Sequence, residues 1–203
     1  MLISHRLKFL IIGIPKTASN SHRISLNKYV DVWGGSKKST LQDPKKFYQH
    51  DTLPVIKDKF TLHGWNINEY FKYAIIRNPW QRYASYYMWA KSNKKEMPNL
   101  NHIFSIHNSQ PHKILEIFIN NNISQDNYLL IDNKEFVDYI ARLETINEDF
   151  EKLCDHLNID QIHLSHKNKS EQYDYRDLYN QELIDLVYHK EKYIIEKYNY
   201  SFE

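Results

Sequence analysis

The segment from Phe9 to Ser21, FLIIGIPKTASNS, most constrains what this chain can fold into. A short apolar run ends at Gly13, and a Pro-Lys pair and a series of small polar residues follow it. Because a buried strand that leads into a polar helix start presents backbone N–H groups at the junction, such a segment suits a phosphate or sulfate-like group. Lys16 adds one ammonium group there. The segment therefore predicts an anion-binding loop between a strand and a helix.

The rest of the chain predicts strands that alternate with helices. Apolar runs that fit strands occur at residues 7–14, 70–77, 128–132 and 139–146. Residues 17–29 fit a loop that leads into a helix, and residues 47–60 fit a short helix that starts near Asp51 or Thr52 with Pro54 in its first turn. Further helical patterns occur at residues 79–91, 113–122, 147–157 and 180–198, and residues 92–112 look like an irregular surface excursion. The alternation predicts an α/β fold of three layers, with a mostly parallel sheet flanked by helices. With no long linker, residues 1–203 are expected to form a single domain.

Composition excludes several classes of protein. Hydrophobic residues make up 41% and charged residues 26%, which fits a globular chain, and a net charge of +2 is too small to indicate a nucleic-acid partner. The single cysteine cannot form a disulfide within the chain, which fits a reducing setting. The apolar run before Pro15 is short for a signal peptide, and no later run approaches the ~20 residues of a membrane span. We therefore expect a cytoplasmic protein with no membrane anchor.

The loop departs from the Walker pattern of nucleotide-binding proteins, which needs Gly, four residues and then Gly-Lys-Ser/Thr. Counting from Gly13 places residues 18–20, Ala-Ser-Asn, where Gly-Lys-Ser/Thr should stand, and the lysine comes early, at Lys16. Asp132 is the only candidate for a strand-end carboxylate that would hold Mg²⁺. A metal-dependent P-loop kinase is therefore disfavoured and is kept as an alternative.

A second anion-binding element, RNPWQRYAS, runs from Arg77 to Ser85 at another predicted strand-to-helix junction. Pro79 is suited to open the helix. The Arg77 guanidinium offers a planar fork to a phosphate, the Ser85 hydroxyl adds a donor, and Arg82 lies three residues before Ser85 on one helical face. Because parallel strands end at the same edge of a sheet, two such elements fit a nucleotide that is phosphorylated at two positions.

These motifs resemble those of the sulfotransferases. IPKTASNS resembles their 5′-phosphosulfate-binding loop, and IIRNPWQRYASYY resembles their 3′-phosphate-binding element, with its Arg-to-Ser spacing of eight. Two weaker similarities to the carbohydrate sulfotransferase branch follow in order, at residues 142–159 and 166–203. The resemblance covers nearly the whole chain, and it implies the P-loop NTPase-like sulfotransferase fold.

The resemblance implies that 3′-phosphoadenosine 5′-phosphosulfate (PAPS) is the donor and that no metal takes part. Lys16 would neutralise the charge that develops on the oxygen leaving the sulfuryl group. Arg77 and Ser85 would hold the 3′-phosphate, with Arg82 as a supporting cation, and Ser170 would add a donor near the nucleotide. The residues that would hold the 5′-phosphate follow the lysine: Thr17, Ala18, Ser19, Asn20 and Ser21.

The loop departs from the family pattern at two positions. Ala18 replaces the Gly of one common form, and Asn20 stands where Thr is usual. An Asn side chain still donates and accepts hydrogen bonds, so we expect the second change to be tolerated.

Sulfuryl transfer to a hydroxyl group needs a base, and histidine is suited to this role near neutral pH. In the family the base, a His or a Glu, lies between the two phosphate-binding elements. His50 fits this position best, and the alternatives are His63 and an acidic residue such as Asp51 or Glu69.

The sequence thus predicts a PAPS-dependent O-sulfotransferase that acts on a carbohydrate or another small hydroxyl-bearing acceptor. Two alternatives from other classes stay open beside it. One is a nucleotide-binding or regulatory protein on the same scaffold without transfer chemistry, and the other is the P-loop kinase.

Overall fold

The structure is a computed structural model, and it describes residues 1–35, 43–107, 110–162, 164 and 174–203. The chain divides into two compact units. The first comprises Met1–Ile76 and Gln125–Lys169, and the second comprises Arg77–Ser124 and Ser170–Glu203. The single domain expected over residues 1–203 stays a prediction.

The described residues form strands and helices in alternation. The strands are β1 (Leu2–Ser4), β2 (Phe9–Ile12), β3 (Val32–Trp33), β4 (Phe71–Ile76), β5 (Leu130–Ile131), β6 (Lys134–Glu135) and β7 (Tyr139–Arg142). The α-helices are α1 (Ser19–Ser25), α2 (Leu53–Leu62), α3 (Pro79–Asn93), α4 (Pro98–Ile106), α5 (Pro111–Asn121), α6 (Ile146–His156), α7 (Gln181–Lys190) and α8 (Lys192–Tyr198).

The first unit contains a five-stranded sheet in the order β3-β1-β2-β4-β7. β2, β4 and β7 pair in parallel, whereas β1 pairs antiparallel with both β2 and β3. β3 therefore runs in the same direction as β2, so that β1 alone among these five strands runs the other way. This mostly parallel sheet, flanked by helices, confirms the predicted α/β fold.

Both faces of the central strands are buried, which explains why β2 and β4 are nearly continuous apolar runs. On one face, alternate residues of β2 and β4 pack with the apolar side of α6 in one cluster. The residues between them lie on the other face and are equally buried: Leu10, Ile12, Ala74 and Ile76. The carboxyl end of β2, where the predicted anion-binding loop begins, is thus buried in the core and held by packing on both faces.

The second unit is built around α3. Trp80 and Tyr83 on this helix lie in an apolar cluster with side chains of α4, α5 and α7. Hydrogen bonds add to the packing, because the Trp80 indole N–H donates to the carbonyl oxygen of Ile184 at 3.1 Å. The Tyr179 hydroxyl in turn donates to the carbonyl oxygen of Trp80 at 2.7 Å. These contacts fix α3 within its unit.

Several expected elements differ from the structure. Among the described residues of the range 92–112, which the sequence suggested to be irregular, α4 buries Leu100 and Phe104 at helical spacing. The helix expected at residues 180–198 is two helices that are separated at Glu191. The strand expected at residues 128–132 is short and pairs with β6 outside the main sheet.

Candidate functional site

The loop that follows β2 contains two residues in left-handed backbone conformation. Lys16 has φ 68° and Ala18 has φ 61°. A residue with a side chain is strained there by on the order of 1 kcal/mol, and glycine is not. Position 18 is also where one common form of the sulfotransferase loop has Gly. Alanine at this position therefore adopts a backbone conformation that glycine would adopt without strain.

Thr17 lies between these two residues and shapes the loop. Its side chain is buried, and its hydroxyl donates a hydrogen bond to the carbonyl oxygen of Ile14 at 3.0 Å. Because a hydroxyl has one hydrogen to donate, this bond uses it within the loop. What Thr17 can offer an anion in this conformation is its backbone N–H rather than the side-chain donor expected from the sequence.

The first turn of α1 is polar and contains Ser19, Asn20 and Ser21. Ala18 is the N-cap residue, and no side chain forms a capping hydrogen bond there. Ser19 and Ser21 are half-buried, Asn20 is exposed, and the Gln49 amide lies 3.5 Å from the Ser19 hydroxyl. The polar side chains that follow Lys16 are therefore not used to cap the helix.

His50 lies against the first residue of this loop. Its Nδ1 atom is 2.6 Å from the carbonyl oxygen of Gly13. Because a carbonyl oxygen only accepts, Nδ1 carries the proton in this contact, and the lone pair of the neutral ring is at Nε2. A side chain on Gly13 would overlap the carbonyl oxygen of Gln49, so glycine is required for this close approach. The structure thus brings one predicted base to the start of the Lys16 loop.

His63, the competing base, lies elsewhere. It follows the last residue of α2, whereas His50 precedes that helix, and a helix of ten residues is about 15 Å long. Its Nε2 atom is 2.9 Å from the carbonyl oxygen of Lys45, and its ring stacks on Trp65 with 4.4 Å between ring centres. These contacts place His63 in an exposed aromatic cluster and not at Gly13.

The two acidic alternatives are both paired with lysine. The buried Asp51 carboxylate lies 2.7 Å from the ammonium group of Lys59. Glu69 lies 3.0 Å from the ammonium group of Lys8 at the surface. Each carboxylate therefore has a structural partner, and of the residues considered as a base only His50 is seen in contact with Gly13.

The second predicted element is a strand-to-helix junction, as expected. Arg77 follows the last residue of β4, and Pro79 begins α3. Asn78 caps the helix, because its side-chain oxygen accepts a hydrogen bond from the backbone N–H of Gln81 at 3.3 Å. Arg77 and Ser85 are both half-buried. The roles of these two residues at a 3′-phosphate stay predictions.

Arg82 cannot be the supporting cation that the sequence suggested. Its guanidinium is buried, with Nη1 2.6 Å from the carboxylate of Glu191 and Nη2 2.7 Å from the carbonyl oxygen of Ile123. The Tyr83 hydroxyl donates to the same carboxylate at 3.0 Å. The side chain therefore faces the interior of its unit, and the prediction for Arg82 was wrong because its partner lies far along the chain.

His22 is a buried residue that the sequence did not single out. It lies in α1, is fully buried, and has no hydrogen-bond partner for either ring nitrogen among the described residues. Its ring packs edge-on against Phe150, with 5.0 Å between ring centres. Burial lowers the pKa of His22 to about 4, although the backbone carbonyl of Ala18 partly opposes this shift. The ring is therefore uncharged at neutral pH, and its packing stabilises the position of α1.

We expect His22 to make the protein less stable in weak acid. The unfolded chain binds a proton at His22 below pH 6.5, and the folded chain does so only near pH 4. Above pH 6.5, His22 should therefore leave the free energy of unfolding unchanged. As the pH drops from 6.5 to 4, this free energy should fall by about 3 kcal/mol, since one pKa unit is about 1.4 kcal/mol. Urea unfolding across this range, compared between the wild type and His22→Leu, isolates this contribution. Parallel curves for the two proteins would contradict it.

Ser170, the remaining predicted ligand of the nucleotide, lies outside the described residues. In the part of the chain that the structure describes, no three His, Cys, Asp or Glu side chains are grouped as a metal ion would require. Within the same ranges, no helix is long and apolar enough to cross a membrane.

The fold and these elements define an α/β protein with anion-suited loops at strand-to-helix junctions. The model of the sulfotransferase family matches residues 1–189, so the chain belongs to the sulfotransferase family. The matched range includes the Lys16 loop, His50 and the Arg77 element, and it confirms the sulfotransferase resemblance and the transferase class. Comparisons with curated proteins and with solved structures gave no significant match.

Proposed function

We propose that this protein transfers the sulfuryl group of PAPS to a hydroxyl group of a carbohydrate or another small acceptor. The observation that carries the proposal is the contact between His50 and Gly13, which brings a base to the start of the loop that bears Lys16. Membership of the sulfotransferase family supports both the donor and the reaction class.

In the proposed reaction, Nε2 of His50 accepts the proton of the acceptor hydroxyl. The acceptor oxygen forms a bond to sulfur in line with the bond that breaks, which joins sulfur to the 5′-phosphate oxygen. The electron pair of that bond stays on the phosphate oxygen, and the Lys16 ammonium stabilises the charge that develops there. The products are a sulfate ester, adenosine 3′,5′-bisphosphate and a proton on His50.

The donor contacts are assigned from the family resemblance. We assign the 5′-phosphate to the backbone N–H groups of residues 17–21 and to the side chains of Ser19, Asn20 and Ser21. We assign the 3′-phosphate to Arg77 and Ser85, and Ser170 stays a predicted further donor. No metal ion is needed in this scheme, because Lys16 and Arg77 supply the positive charge that offsets the phosphates.

A non-catalytic nucleotide-binding protein on the same scaffold is the second candidate. The departures from the family pattern at Ala18 and Asn20 favour it, because both residues lie in the loop that would position the donor for transfer. Both candidates bind the same nucleotide, so that binding alone does not separate them. Turnover of PAPS with hydroxyl-bearing acceptors separates them, because only the transferase consumes the donor.

Calorimetric titration with adenosine 3′,5′-bisphosphate, with and without EDTA, tests the donor class. We expect binding in both solutions. We also expect Arg77→Ala to weaken bisphosphate binding by about 10- to 100-fold, because it removes a charge-assisted contact to phosphate, while binding of AMP changes little. This contrast arises because AMP lacks the 3′-phosphate.

Arg176→Ala is the matched control, since Arg176 is exposed and paired with Asp174 at the surface. It should leave both affinities unchanged. Binding that required Mg²⁺ would favour the kinase alternative and contradict the proposal that PAPS is the donor. Equal losses for the bisphosphate and AMP would show that Arg77 does not recognise the 3′-phosphate.

A further inference from the structure

Asp51, the residue that follows His50, forms a buried ion pair with Lys59. The Lys59 Nζ atom lies 2.7 Å from Oδ2 of Asp51, and the two side chains are 8% and 1% exposed. Burying two charges costs several kcal/mol, and apolar replacements of such pairs are often neutral or stabilising. Stability alone therefore does not account for this pair.

The pair also holds the backbone on both sides of His50. The Lys59 ammonium donates to the carbonyl oxygen of Lys46 at 2.7 Å, and it lies 4.7 Å from the centre of the Tyr48 ring. The Asp51 carboxylate accepts the backbone N–H of Tyr48 at 2.7 Å. One ion pair thus fixes residues 46–51 against α2, which supplies Lys59.

Glycine residues also pack closely against the segment that contains His50. The Gln49 N–H donates to the carbonyl oxygen of Gly35 at 2.8 Å, and a side chain on Gly34 would lie 2.8 Å from the Cα of Gln49. Gly13 approaches the carbonyl oxygen of Gln49 in the same way. Residues 48–51 are therefore held between the ion pair and three glycines, with little room to shift.

We infer that the Asp51–Lys59 ion pair is a positioning device for His50. It holds the backbone of His50 at the distance where Nδ1 bonds to the Gly13 carbonyl, and this bond keeps the lone pair at Nε2. Neither Asp51 nor Lys59 touches a reacting atom in this scheme, so both are positioning residues. The inference rests on the proposed function, in which His50 is the base.

The double variant Asp51→Asn/Lys59→Met tests the inference. Asparagine keeps an oxygen for the Tyr48 N–H, and methionine keeps the length of lysine without its charge. We expect a folded protein whose kcat falls by about 10- to 100-fold, because a base displaced by about 1 Å loses this much. The affinity for adenosine 3′,5′-bisphosphate should stay within about threefold, because the donor contacts are kept.

Nitrogen-15 NMR of histidine-labelled protein gives a second readout that needs no turnover. In the wild type, the His50 ring should show its proton on Nδ1. In the double variant we expect a mixture of the two tautomers. The signals are assigned with His50→Asn.

Two further variants serve as controls. Lys192→Met/Glu196→Gln makes similar changes at an exposed ion pair, where the two groups are 3.8 Å apart, and should change neither kcat nor the His50 spectrum. Lys59→Arg keeps the positive charge and should retain the wild-type tautomer and most of the turnover.

A folded double variant with wild-type kcat and an unchanged His50 spectrum would overturn the inference. A double variant that failed to fold, beside a folded Lys59→Arg, would also overturn it, because the pair would then serve folding alone. Absence of sulfuryl transfer by the wild type would refute the proposed function instead. The tautomer readout would still decide whether the ion pair positions His50.

Discussion

Replacement of His50 with alanine is expected to lower kcat for sulfuryl transfer by about 10²- to 10⁴-fold, which is the usual contribution of a general base. The affinity for adenosine 3′,5′-bisphosphate should change by less than about threefold, because the ring bonds to Gly13, which is not among the predicted phosphate ligands. Transfer of radiolabelled sulfuryl groups to a panel of hydroxyl-bearing acceptors measures the first effect, and calorimetry measures the second.

His63→Ala provides the comparison for this prediction. Its ring lies at the far end of α2 against Trp65, so we expect nearly full turnover. If His50→Ala kept its turnover and His63→Ala lost it, the role of base would pass to His63. If neither variant lost turnover, His50 and His63 would both be excluded, and an acidic residue such as Asp51 or Glu69 would be tested next.

Lys16→Met is expected to lower kcat by about 10²- to 10³-fold, because it removes the charge that stabilises the leaving oxygen in the transition state. Methionine has a similar length and would adopt the same left-handed backbone at φ 68° with the same strain. The effect should therefore come from the lost charge and not from a refolded loop. Single-turnover kinetics with saturating PAPS measures the chemical step directly.

Lys28→Met is the matched control for Lys16→Met, because Lys28 is an exposed lysine shortly after α1. It should leave kcat unchanged. Affinity for PAPS should fall by no more than about tenfold in Lys16→Met, since the charge on the leaving oxygen develops only as the bond to sulfur breaks. A loss of affinity with an unchanged kcat would make Lys16 an ordinary phosphate ligand.

The elements that carry the site could be predicted from local sequence. β2 and β4 are covered on both faces, so their apolar runs are unbroken and identify buried strands. α2 and α3 begin where a proline falls in the first turn, and the sequence indicates both starts. These signals depend on neighbours in the chain, which is why they could be found in advance.

Features that depend on distant partners could not be predicted. From the sequence, Arg82 could be expected to contact a phosphate, because no partner for it lies nearby in the chain. Its partner is Glu191, which lies between α7 and α8. β1 is three residues long and gains its hydrogen bonds only by pairing with β2 and β3. The burial of His22 likewise depends on Phe150 of α6. Periodicity within one segment carries no information on such contacts.

The Nδ1 atom of His50 is held by a backbone carbonyl. Substitution cannot delete a peptide carbonyl, so no single replacement at the partner position can remove the acceptor itself. Natural variation in the surrounding loops could then exchange one acceptor molecule for another while the proposed base keeps its anchor. A lineage on this scaffold could therefore broaden its choice of substrates without rebuilding its chemistry.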